Sequence, residues 1–406
     1  MRVLIINRWS DDFADYGSYV DHTAHQVAYV TVAGHRPLLP GGTAHAEVVA
    51  DPSDADAVTA AALRCHLALG GTDVVLALSE FDLLTAARVR EELGVPGPGT
   101  DTALRFRDKT VMKAAIAEAG LRIPRFRTVT TPAEAAAFAA AHPGPVMLKP
   151  RTGAASAGCV LLEEGLGERA VLARLEGLDL SGYEAEEFVQ GPIWHVDGLL
   201  REGEPLFALA SRYLNTCFEF GNGSPLGSAV QQGPLADRIS DFALDSLRAL
   251  GLRTGAFHLE VIEHRDGPVF LEVGARVGGG EIPFVCRDVY GVDLVGDWIR
   301  LELGEAPLTV PAAGSECGGF LMVPEPVGMR LLARPELRGT VAGLYAEILP
   351  EPGRVFTGDG GYDEILGRFR FRAASPQAVE AAIRSAIDQY RCELEPAVLT
   401  PSGADA

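Results

Sequence analysis

The stretch VFLEVGARVGGG, residues 269–280, joins an apolar strand to a charged and glycine-rich turn. Its β-branched and apolar residues predict a strand, yet the strand carries Glu272. Arg276 follows four residues later, and Gly278–Gly280 then leave the backbone without side chains. The arginine and the bare backbone together indicate an anion site.

A second acidic strand lies immediately upstream. FHLEVIE (257–263) and PVFLEV (268–273) are separated by a turn that ends in glycine, which predicts a β-hairpin. With a loop of residues 265–267, His264 pairs with Pro268, and Glu260 then lies directly opposite Glu272. A register shifted by one residue would place the two acids on opposite faces.

Two opposed carboxylates repel each other unless a cation lies between them. Their hard oxygen atoms suit Mg²⁺. The alternative is a solvated hairpin face with an ordinary surface ion pair.

Lysine is scarce in this chain, which has 35 basic residues of which only Lys109, Lys113 and Lys149 are lysine. Lys149 ends a predicted strand and precedes the small-residue loop TGAASAG (152–158), which includes Ser156. Such a loop lets backbone N–H groups close over phosphates, although a flexible hairpin tip is the alternative. The Walker A pattern is absent. The sequence therefore contains the groups needed to hold a nucleoside triphosphate with magnesium. They are the pair Glu260 and Glu272 (the diacid), the arginine, the small-residue loop and two lysines.

Composition limits the classes of partner. The 406 residues suggest two to three domains. A net charge of −20 argues against general binding to nucleic acid or to anionic membranes. Apolar runs are too short to span a bilayer, and the N-terminus lacks the features of a signal peptide. Six widely spaced cysteines predict reduced thiols, so a cytoplasmic location is expected.

Strands and helices alternate along the N-terminal half. Strands are predicted at 3–9 and 73–78, with a helix from about Phe81 to Leu93, and this order predicts a parallel sheet covered by helices. Another helix should begin after Asp108 and end at Gly120, and Thr131 with Glu134 forms a capping-box pattern. The segment 311–395 should contain further strands and a helix at 376–390, and the tail 399–406 should be frayed.

The order of these elements resembles the ATP-grasp superfamily, in particular biotin carboxylase and the L-amino acid ligases. The resemblance is carried by residues 78–126, LSEFDLLTAARVREELGVPGPGTDTALRFRDKTVMKAAIAEAGLRIPRF, and by the elements above. The resemblance covers most of the chain. It implies an ATP-grasp fold, of mixed α/β and α+β class. The implied domains are a Rossmann-like pre-ATP-grasp domain (1–103), a central lid subdomain (104–190), a catalytic subdomain (191–310) and an α+β extension (311–406).

The same resemblance implies roles for individual residues. Lys109 and Lys149 would contact ATP phosphates, and Ser156 belongs to the loop that covers them. EEFV, which comprises Glu186, Glu187, Phe188 and Val189, would form the adenine-binding hinge. His195 would contact ribose. Glu260 and Glu272 would bind Mg²⁺, with Mn²⁺ as the alternative ion, and Arg276 would meet phosphate and the activated carboxylate, so that Glu272 and Arg276 are the catalytic assignments.

Four positions carry weaker expectations. Lys113 matches no motif position and is predicted to be a surface helix residue. Glu80 and His258 are each expected either to face the cleft or to have a structural role. Cys217 has no evident partner base, so a small structural cysteine is favoured over a thioester nucleophile.

One position departs from the superfamily pattern. The usual E-x-N-x-R motif has asparagine where this chain has Gly274. The L-amino acid ligases also tolerate a small residue there, so the change favours that branch. Water could complete the second magnesium shell, because Mg²⁺ keeps several waters.

The implied function is an ATP-dependent ligase. It would activate a carboxylate as an acyl phosphate and couple it to an amine, releasing ADP and phosphate. An ATP-grasp carboxylase or acyl-carrier ligase is the alternative, although VMKAA (111–115) lies in a predicted helix and no biotinyl AMKM hairpin is present. A non-catalytic nucleotide-binding module is less favoured, because the lysines, the diacid and the arginine are all retained.

The implied partners are a small-molecule carboxylate and an amine. The segment 211–232, which is rich in aromatic and polar residues, would form one wall of the substrate site. A homodimer and a separate carrier protein stay open.

Overall fold

The computed structural model describes residues 1–10, 15–154, 156–309, 314, 316–358 and 365–397. Ala155 of the small-residue loop, the predicted domain boundary at 310/311 and the tail 399–406 lie outside these residues. Within them, no helix has both the length and the hydropathy needed to cross a bilayer.

The strands of the described residues are β1 Arg2–Ile6, β2 Gln26–Val32, β3 His45–Val49, β4 Val74–Ala77, β5 Phe126–Val129, β6 Val146–Pro150, β7 Val160–Leu162, β8 Tyr183–Glu187, β9 Ile193–Arg201, β10 Glu204–Tyr213, β11 Leu226–Val230, β12 Gly255–His264, β13 Gly267–Gly274, β14 Cys317–Val323, β15 Met329–Ala333, β16 Leu344–Ile348, β17 Gly367–Ala373 and β18 Glu393–Pro396.

The α-helices of the described residues are α1 Tyr16–Tyr19, α2 Ala55–Leu69, α3 Leu83–Leu93, α4 Thr100–Leu104, α5 Lys109–Glu118, α6 Pro132–Ala140, α7 Glu168–Arg174, α8 Cys217–Gly221, α9 Pro234–Leu250, α10 Ile282–Tyr290, α11 Leu294–Glu302 and α12 Pro376–Gln389. In the same part of the chain, 3₁₀ helices span Ala33–Leu38 and Glu80–Asp82.

The N-terminal sheet is parallel, as predicted, with the strand order β3-β2-β1-β4. Strands β1, β2 and β4 are almost wholly buried, which is typical of a parallel sheet covered on both faces, whereas the edge strand β3 is only partly buried. The chain order reverses between β1 and β4, so the residues after their carboxyl ends face a common crevice. This arrangement brings Trp9 and Glu80 towards the rest of the molecule.

The predicted helix signals are confirmed. Asp108 caps α5 by accepting from the backbone of Thr110 and Val111. Thr131 and Glu134 form the predicted capping box at the start of α6. Gly94 ends α3 with φ of 65°, a left-handed conformation that glycine adopts without penalty.

A four-stranded sheet, β5-β8-β6-β7, follows the N-terminal sheet along the chain. Its strands pair antiparallel, and β8 carries the predicted hinge at its end. Helices α6 and α7 pack over a small apolar core on this sheet. The sheet therefore presents Lys149 and Glu186 from neighbouring strands.

The largest sheet has eight strands in the order β13-β12-β9-β10-β11-β14-β17-β16. It includes strands from both sides of residue 310, so the region assigned to the extension continues the sheet that carries the diacid. The division into four domains stays a prediction.

The hairpin of β12 and β13 confirms the predicted pairing of Glu260 with Glu272, but the predicted turn is wrong. His264 pairs with Gly267, not with Pro268, because the loop has two residues. A β-bulge between Val261 and Glu260 then leaves one extra residue, Leu271, on β13. The bulge restores the register at the acids, so the two departures cancel there.

Candidate active site

Two cavities meet at the diacid. The smaller has a volume of about 460 Å³ and lies between the four-stranded sheet and the hairpin. The larger has a volume of about 900 Å³ and extends beneath the N-terminal domain. Six residues line both cavities: Ala154, Ser156, Tyr213, Cys217, Glu260 and Glu272.

The two acids occupy opposed positions on neighbouring strands, and both face these cavities. Lys109 Nζ lies 3.2 Å from Glu272 Oε2 and also donates to the Gly153 carbonyl at 2.7 Å. Burial by itself would raise the pKa of Glu272, but the attraction of Lys109 and Lys149 outweighs it and lowers the pKa to about 2. Glu272 is therefore an anion over the whole physiological pH range.

Lys149 points into the smaller cavity and forms an ion pair with Glu186. Burial by itself would lower the pKa of Lys149, but Glu186 and Glu272 raise it above its usual value. The ammonium therefore stays charged where a polyanionic ligand would enter.

Lys113 is wholly buried, and the prediction of a surface position is wrong. Its ammonium lies between Glu184 and Glu186, and both carboxylates pair with it. Helix α5 turns this side chain towards β8, and an acid on β8 is stable in that place only when a cation accompanies it. Glu186 consequently lies between two lysines, which lower its pKa although burial by itself would raise it.

The predicted hinge residues line the smaller cavity, where Glu186, Glu187, Phe188 and Val189 follow one another along its wall. The backbone N–H of Phe188 donates to Pro145 at 3.0 Å, which ties the end of β8 to the start of β6. Leu271 and Ile262 from the hairpin form the facing apolar wall. The bulge turns Leu271 and Glu272, although consecutive, to the same cavity.

His195 is not brought to this cavity and is only 1% exposed. It lies directly opposite Glu260 on β9, but its Nδ1 contacts Asp197 Oδ2 at 2.5 Å and its Nε2 contacts Ser228 Oγ at 2.7 Å. Both ring nitrogens are thus engaged inside the sheet. The ribose contact implied for His195 has no support in this geometry.

Asp197 holds a second imidazole as well. Its Oδ1 lies 2.8 Å from His258 Nδ1, and its pKa is below the usual range because the two histidines outweigh the effect of burial. Burial by itself would lower the pKa of His258, but Asp197 raises it to about 10. The ligand atoms of His195, Asp197 and His258 lie within 4.8 Å of one another, a spacing that could hold a metal. In this structure the carboxylate is occupied by both imidazoles, and the group is a buried ion-pair network.

Arg276 lines the larger cavity and is held by Glu80. Its Nε and Nη2 lie 2.7 and 2.5 Å from Glu80 Oε2. Glu80 also pairs with Arg107, which donates to the carbonyl of Thr152 at the start of the small-residue loop. Burial would raise the pKa of Glu80, but the two arginines lower it. A continuous chain of charges thus links Arg276 to the loop.

Two glycines of the opening stretch are closely packed by side chains. A Cβ at Gly278 would lie 2.3 Å from Asp197 Oδ1. A Cβ at Gly274 would lie 3.3 Å from both Cγ and Nε of Arg276 and 3.5 Å from Glu80 Oε2. Glycine at 274 therefore lets the arginine fold back onto Glu80.

Cys217 fits a structural role. It begins α8 behind the capping residue Thr216, and its Sγ lies 3.9 Å from Glu260 Oε1. Burial and the negative charge of Glu260 raise the pKa of the thiol above its usual value, so it is not a nucleophilic thiolate at neutral pH.

Sequence reasoning missed Arg107, Glu184 and Asp197. The acid in IWHVDG alternates with His195 on a strand that is otherwise apolar, and this pattern could have indicated a buried charge pair. Glu184 and Glu186 alternate in the same way on β8. Together with Lys113, one of only three lysines in the chain, they could have indicated a buried charge cluster. Arg107 gives no such signal, since its partners come from distant parts of the chain.

No family model matches the chain. It is 24% identical over 338 residues to the L-arginine-specific L-amino acid ligase of Bacillus subtilis, a match that covers 79% of this chain and 80% of that relative. It is 26% identical over 247 residues to the alanine–anticapsin ligase of Bacillus subtilis, covering 55% and 52%. Its structure matches the crystal structure of an L-amino acid ligase from Bacillus licheniformis with a TM-score of 0.75 and 17% identity, covering 97% of this chain and 98% of that one. That likeness confirms the predicted fold.

Proposed function

Because this chain belongs to the ATP-grasp superfamily and is an ATP-dependent carboxylate–amine ligase, we propose that its two cavities divide the reaction between them. The smaller cavity binds ATP, and the larger binds the carboxylate substrate. The observation that carries this assignment is the diacid, which lines both cavities where they meet.

The chemistry consists of two displacements. A carboxylate oxygen attacks the γ-phosphorus of ATP, the bond to the bridging oxygen breaks, and ADP leaves. The amine nitrogen then attacks the acyl carbon, the bond to the phosphate oxygen breaks, and phosphate leaves while the nitrogen loses a proton. The side chains need only position the reactants and neutralise charge, so no protein nucleophile is required.

The nucleotide would lie along the hinge. Its base fits between the backbone of Glu187–Val189 and the apolar wall of Leu271 and Ile262. Lys109, Lys149 and Ser156 lie where its phosphates would extend towards the diacid. Glu186 positions Lys149 in this scheme, because the pair is buried and Lys113 supports it from behind.

Mg²⁺ fits the donor set, with Mn²⁺ as the alternative. Glu260 and Glu272 are opposed carboxylates that face an open cavity, and Glu272 is ionised. A bound divalent cation would neutralise charge on the phosphates as ADP leaves.

Arg276 and the small-residue loop complete the site. Arg276 lies in the larger cavity beside the diacid, where it would meet the carboxylate and the phosphoryl group. The loop contacts Lys109 and Arg107 through its carbonyls, and its closure would exclude water from the acyl phosphate. The proposed setting is the cytoplasm, where ATP and free amino acids meet; a homodimer and a carrier-protein partner stay as predictions.

The test is phosphate release from ATP with a panel of amino acid pairs, with and without bicarbonate. Release that depends on two amino acids supports the ligase, whereas release that requires bicarbonate favours the carboxylase alternative. Glu272→Gln should lower turnover by about 10²-fold or more, because it keeps the shape but removes a charge from the metal site.

Asp266→Asn removes a charge from the exposed turn of the same hairpin and serves as the control. Near wild-type turnover in Glu272→Gln would contradict the assignment of the diacid.

A further inference from the structure

One face of the eight-stranded sheet changes from charged to apolar along its width. Cross-strand pairing puts Glu272, Glu260, His195 and Ser211 on the same face of neighbouring strands. The same row continues through Tyr213, which pairs with Ser228, and Ser228 pairs with Phe320. The diacid therefore shares its face with an apolar surface on β11 and β14.

The apolar surface begins close to the charged groups. About 14 Å separates the backbones of β9 and β14, since three strand spacings lie between them. The ring centroids of His195 and Phe320 are nevertheless only 6.5 Å apart. Their side chains converge beneath this face. Glu260, Glu272 and Phe320 all line the larger cavity, so a ligand of amino acid size can reach both regions.

Two apolar residues extend the surface beyond Phe320. Leu226 on β11 lies directly opposite Met322 on β14, and both line the larger cavity. Leu226, Phe320 and Met322 are 6%, 4% and 5% exposed, and belong to one hydrophobic core cluster. They form a fixed floor that does not depend on loop conformation.

The opposite wall is also apolar. It comprises Trp9, Leu78 and Phe81 from the N-terminal domain and Val295 and Trp298 from α11. The rings of Trp9, Phe81, Phe220, Trp298 and Phe320 all line this one cavity. Large apolar side chains gain the most free energy in such surroundings.

Two further acids, Glu80 and Glu325, line the larger cavity besides the diacid. Glu80 pairs with Arg107 and Arg276. Glu325 at the rim accepts from the backbone of Gly358 at 2.8 Å. No lysine lines this cavity among the described residues, so the charged end offers Arg276 for an anion and the walls offer apolar contact.

We propose that the larger cavity selects a carboxylate substrate with a large apolar side chain, either aromatic or branched aliphatic. The carboxylate lies between Arg276 and the diacid, and the side chain packs on Leu226, Phe320 and Met322. This inference rests on the proposed function, because it places the activated carboxylate at the diacid. It differs from a preference for small substrates, for which the cavity has excess volume. It also differs from a preference for cationic substrates, because the floor of Leu226, Phe320 and Met322 offers no carboxylate.

The experiment isolates the carboxylate by using hydroxylamine as the amine. Enzyme, ATP and Mg²⁺ are incubated with single L-amino acids, and the hydroxamate is measured. Phenylalanine, leucine and isoleucine should give kcat/KM values about tenfold or more above those for alanine, serine, arginine and glutamate, since that is the discrimination an apolar pocket provides.

Substitutions in the cavity test the assignment of the floor. Met322→Trp fills the floor, so the preference should shift towards alanine by about tenfold relative to phenylalanine. Phe220→Ala changes a half-buried wall position and should lower kcat/KM for phenylalanine more than kcat/KM for alanine. Because it removes atoms, this variant cannot overpack the core. Leu332→Trp adds the same ring on β15 at an exposed position and should leave selectivity unchanged.

The outcomes separate the two proposals. Higher kcat/KM for arginine, glutamate or serine than for phenylalanine and leucine would overturn the apolar selection alone. So would unchanged selectivity in both Met322→Trp and Phe220→Ala. The absence of hydroxamate with every carboxylate tested would overturn the proposed function, and the inference with it.

Discussion

At the scale of single residues, Lys113 shows how a buried charge can support a site that it does not touch. Its ammonium neutralises Glu184 and Glu186, and Glu186 in turn holds Lys149 at the smaller cavity. Burial and the nearby charge of Glu186 raise the pKa of Glu184. The raised pKa reflects the free-energy cost of burying two carboxylates side by side. One Glu184 oxygen has no hydrogen-bond partner.

Lys113→Met should therefore destabilise the protein by about 3–5 kcal/mol, because it leaves buried carboxylates without their cation. Lys113→Met combined with Glu184→Met should recover most of that loss, since an apolar pair tolerates burial. Urea unfolding of both variants measures the difference. Arg169→Met removes an exposed cation from α7 and is the control. Equal stability of the single variant and wild type would show that the cluster is dispensable.

Gly274 is the second residue whose role depends on its neighbours. Gly274→Ala places a methyl group 3.3 Å from Arg276 and should displace the arginine from Glu80. The expected cost of about 1 kcal/mol corresponds to a loss of roughly fivefold in kcat/KM. Gly182→Ala, where a Cβ meets no atom within 4 Å, should be silent. If the two variants have the same kcat/KM, the close packing at 274 has no role in positioning Arg276.

At the scale of elements, the bulge in β13 gives the hairpin two functions. It keeps Glu272 opposite Glu260 while Leu271, the extra residue, turns to the wall proposed for the adenine base. A regular strand would send consecutive side chains to opposite faces. The bulge thus joins an apolar contact and a carboxylate on one surface.

Leu271→Ala should raise the KM for ATP by several-fold with little change in kcat, because the apolar contact stabilises bound ATP and the transition state equally. Initial rates at varied ATP concentration measure the two constants. Leu271→Met keeps the apolar volume and should resemble wild type. A fall in kcat at unchanged KM would instead indicate that Leu271 acts by positioning Glu272.

The small-residue loop contains backbone conformations that are unfavourable for most residues other than glycine. Ser156 has φ of 59° and Gly158 has φ of 73°, both left-handed. A Cβ at Gly158 would also lie 2.9 Å from the Tyr183 hydroxyl. Closure of this loop over ATP stays a prediction.

At the scale of the whole molecule, the site is assembled from three sheets. The N-terminal sheet leads to Glu80, the four-stranded sheet supplies Lys149 and Glu186, and the eight-stranded sheet supplies the diacid. Ion pairs join these parts directly, from Arg276 to Glu80 and from Lys109 to Glu272. A ligand that binds among them should therefore stabilise all three together.

ATP with Mg²⁺ should raise the melting temperature by a few degrees, because saturation at about 100 times Kd contributes roughly 2.7 kcal/mol. Thermal unfolding followed by circular dichroism measures the shift. Removal of the metal with EDTA should abolish most of it, and Glu272→Gln should reduce it in the presence of metal. An equal shift with and without Mg²⁺ would contradict a metal-dependent nucleotide site.

The sequence by itself determined the main features that depend on local order. Residue spacing indicated the diacid, the lysine before the loop and the helix caps, because each depends on residues that are close together in the sequence. The alternation of strands and helices indicated the parallel N-terminal sheet. The resemblance to the ATP-grasp superfamily supplied the fold and the class of reaction.

Only the tertiary structure decided how distant charges pair. Lys113 meets Glu184 and Glu186 across about seventy residues of chain, and Arg276 meets Glu80 across nearly two hundred. It also showed His195 enclosed by Asp197 and Ser228, where the motif alone implied a ribose contact. The physical reason is that burying a charge is costly without a partner, and the partner comes from whichever part of the chain the fold places beside it.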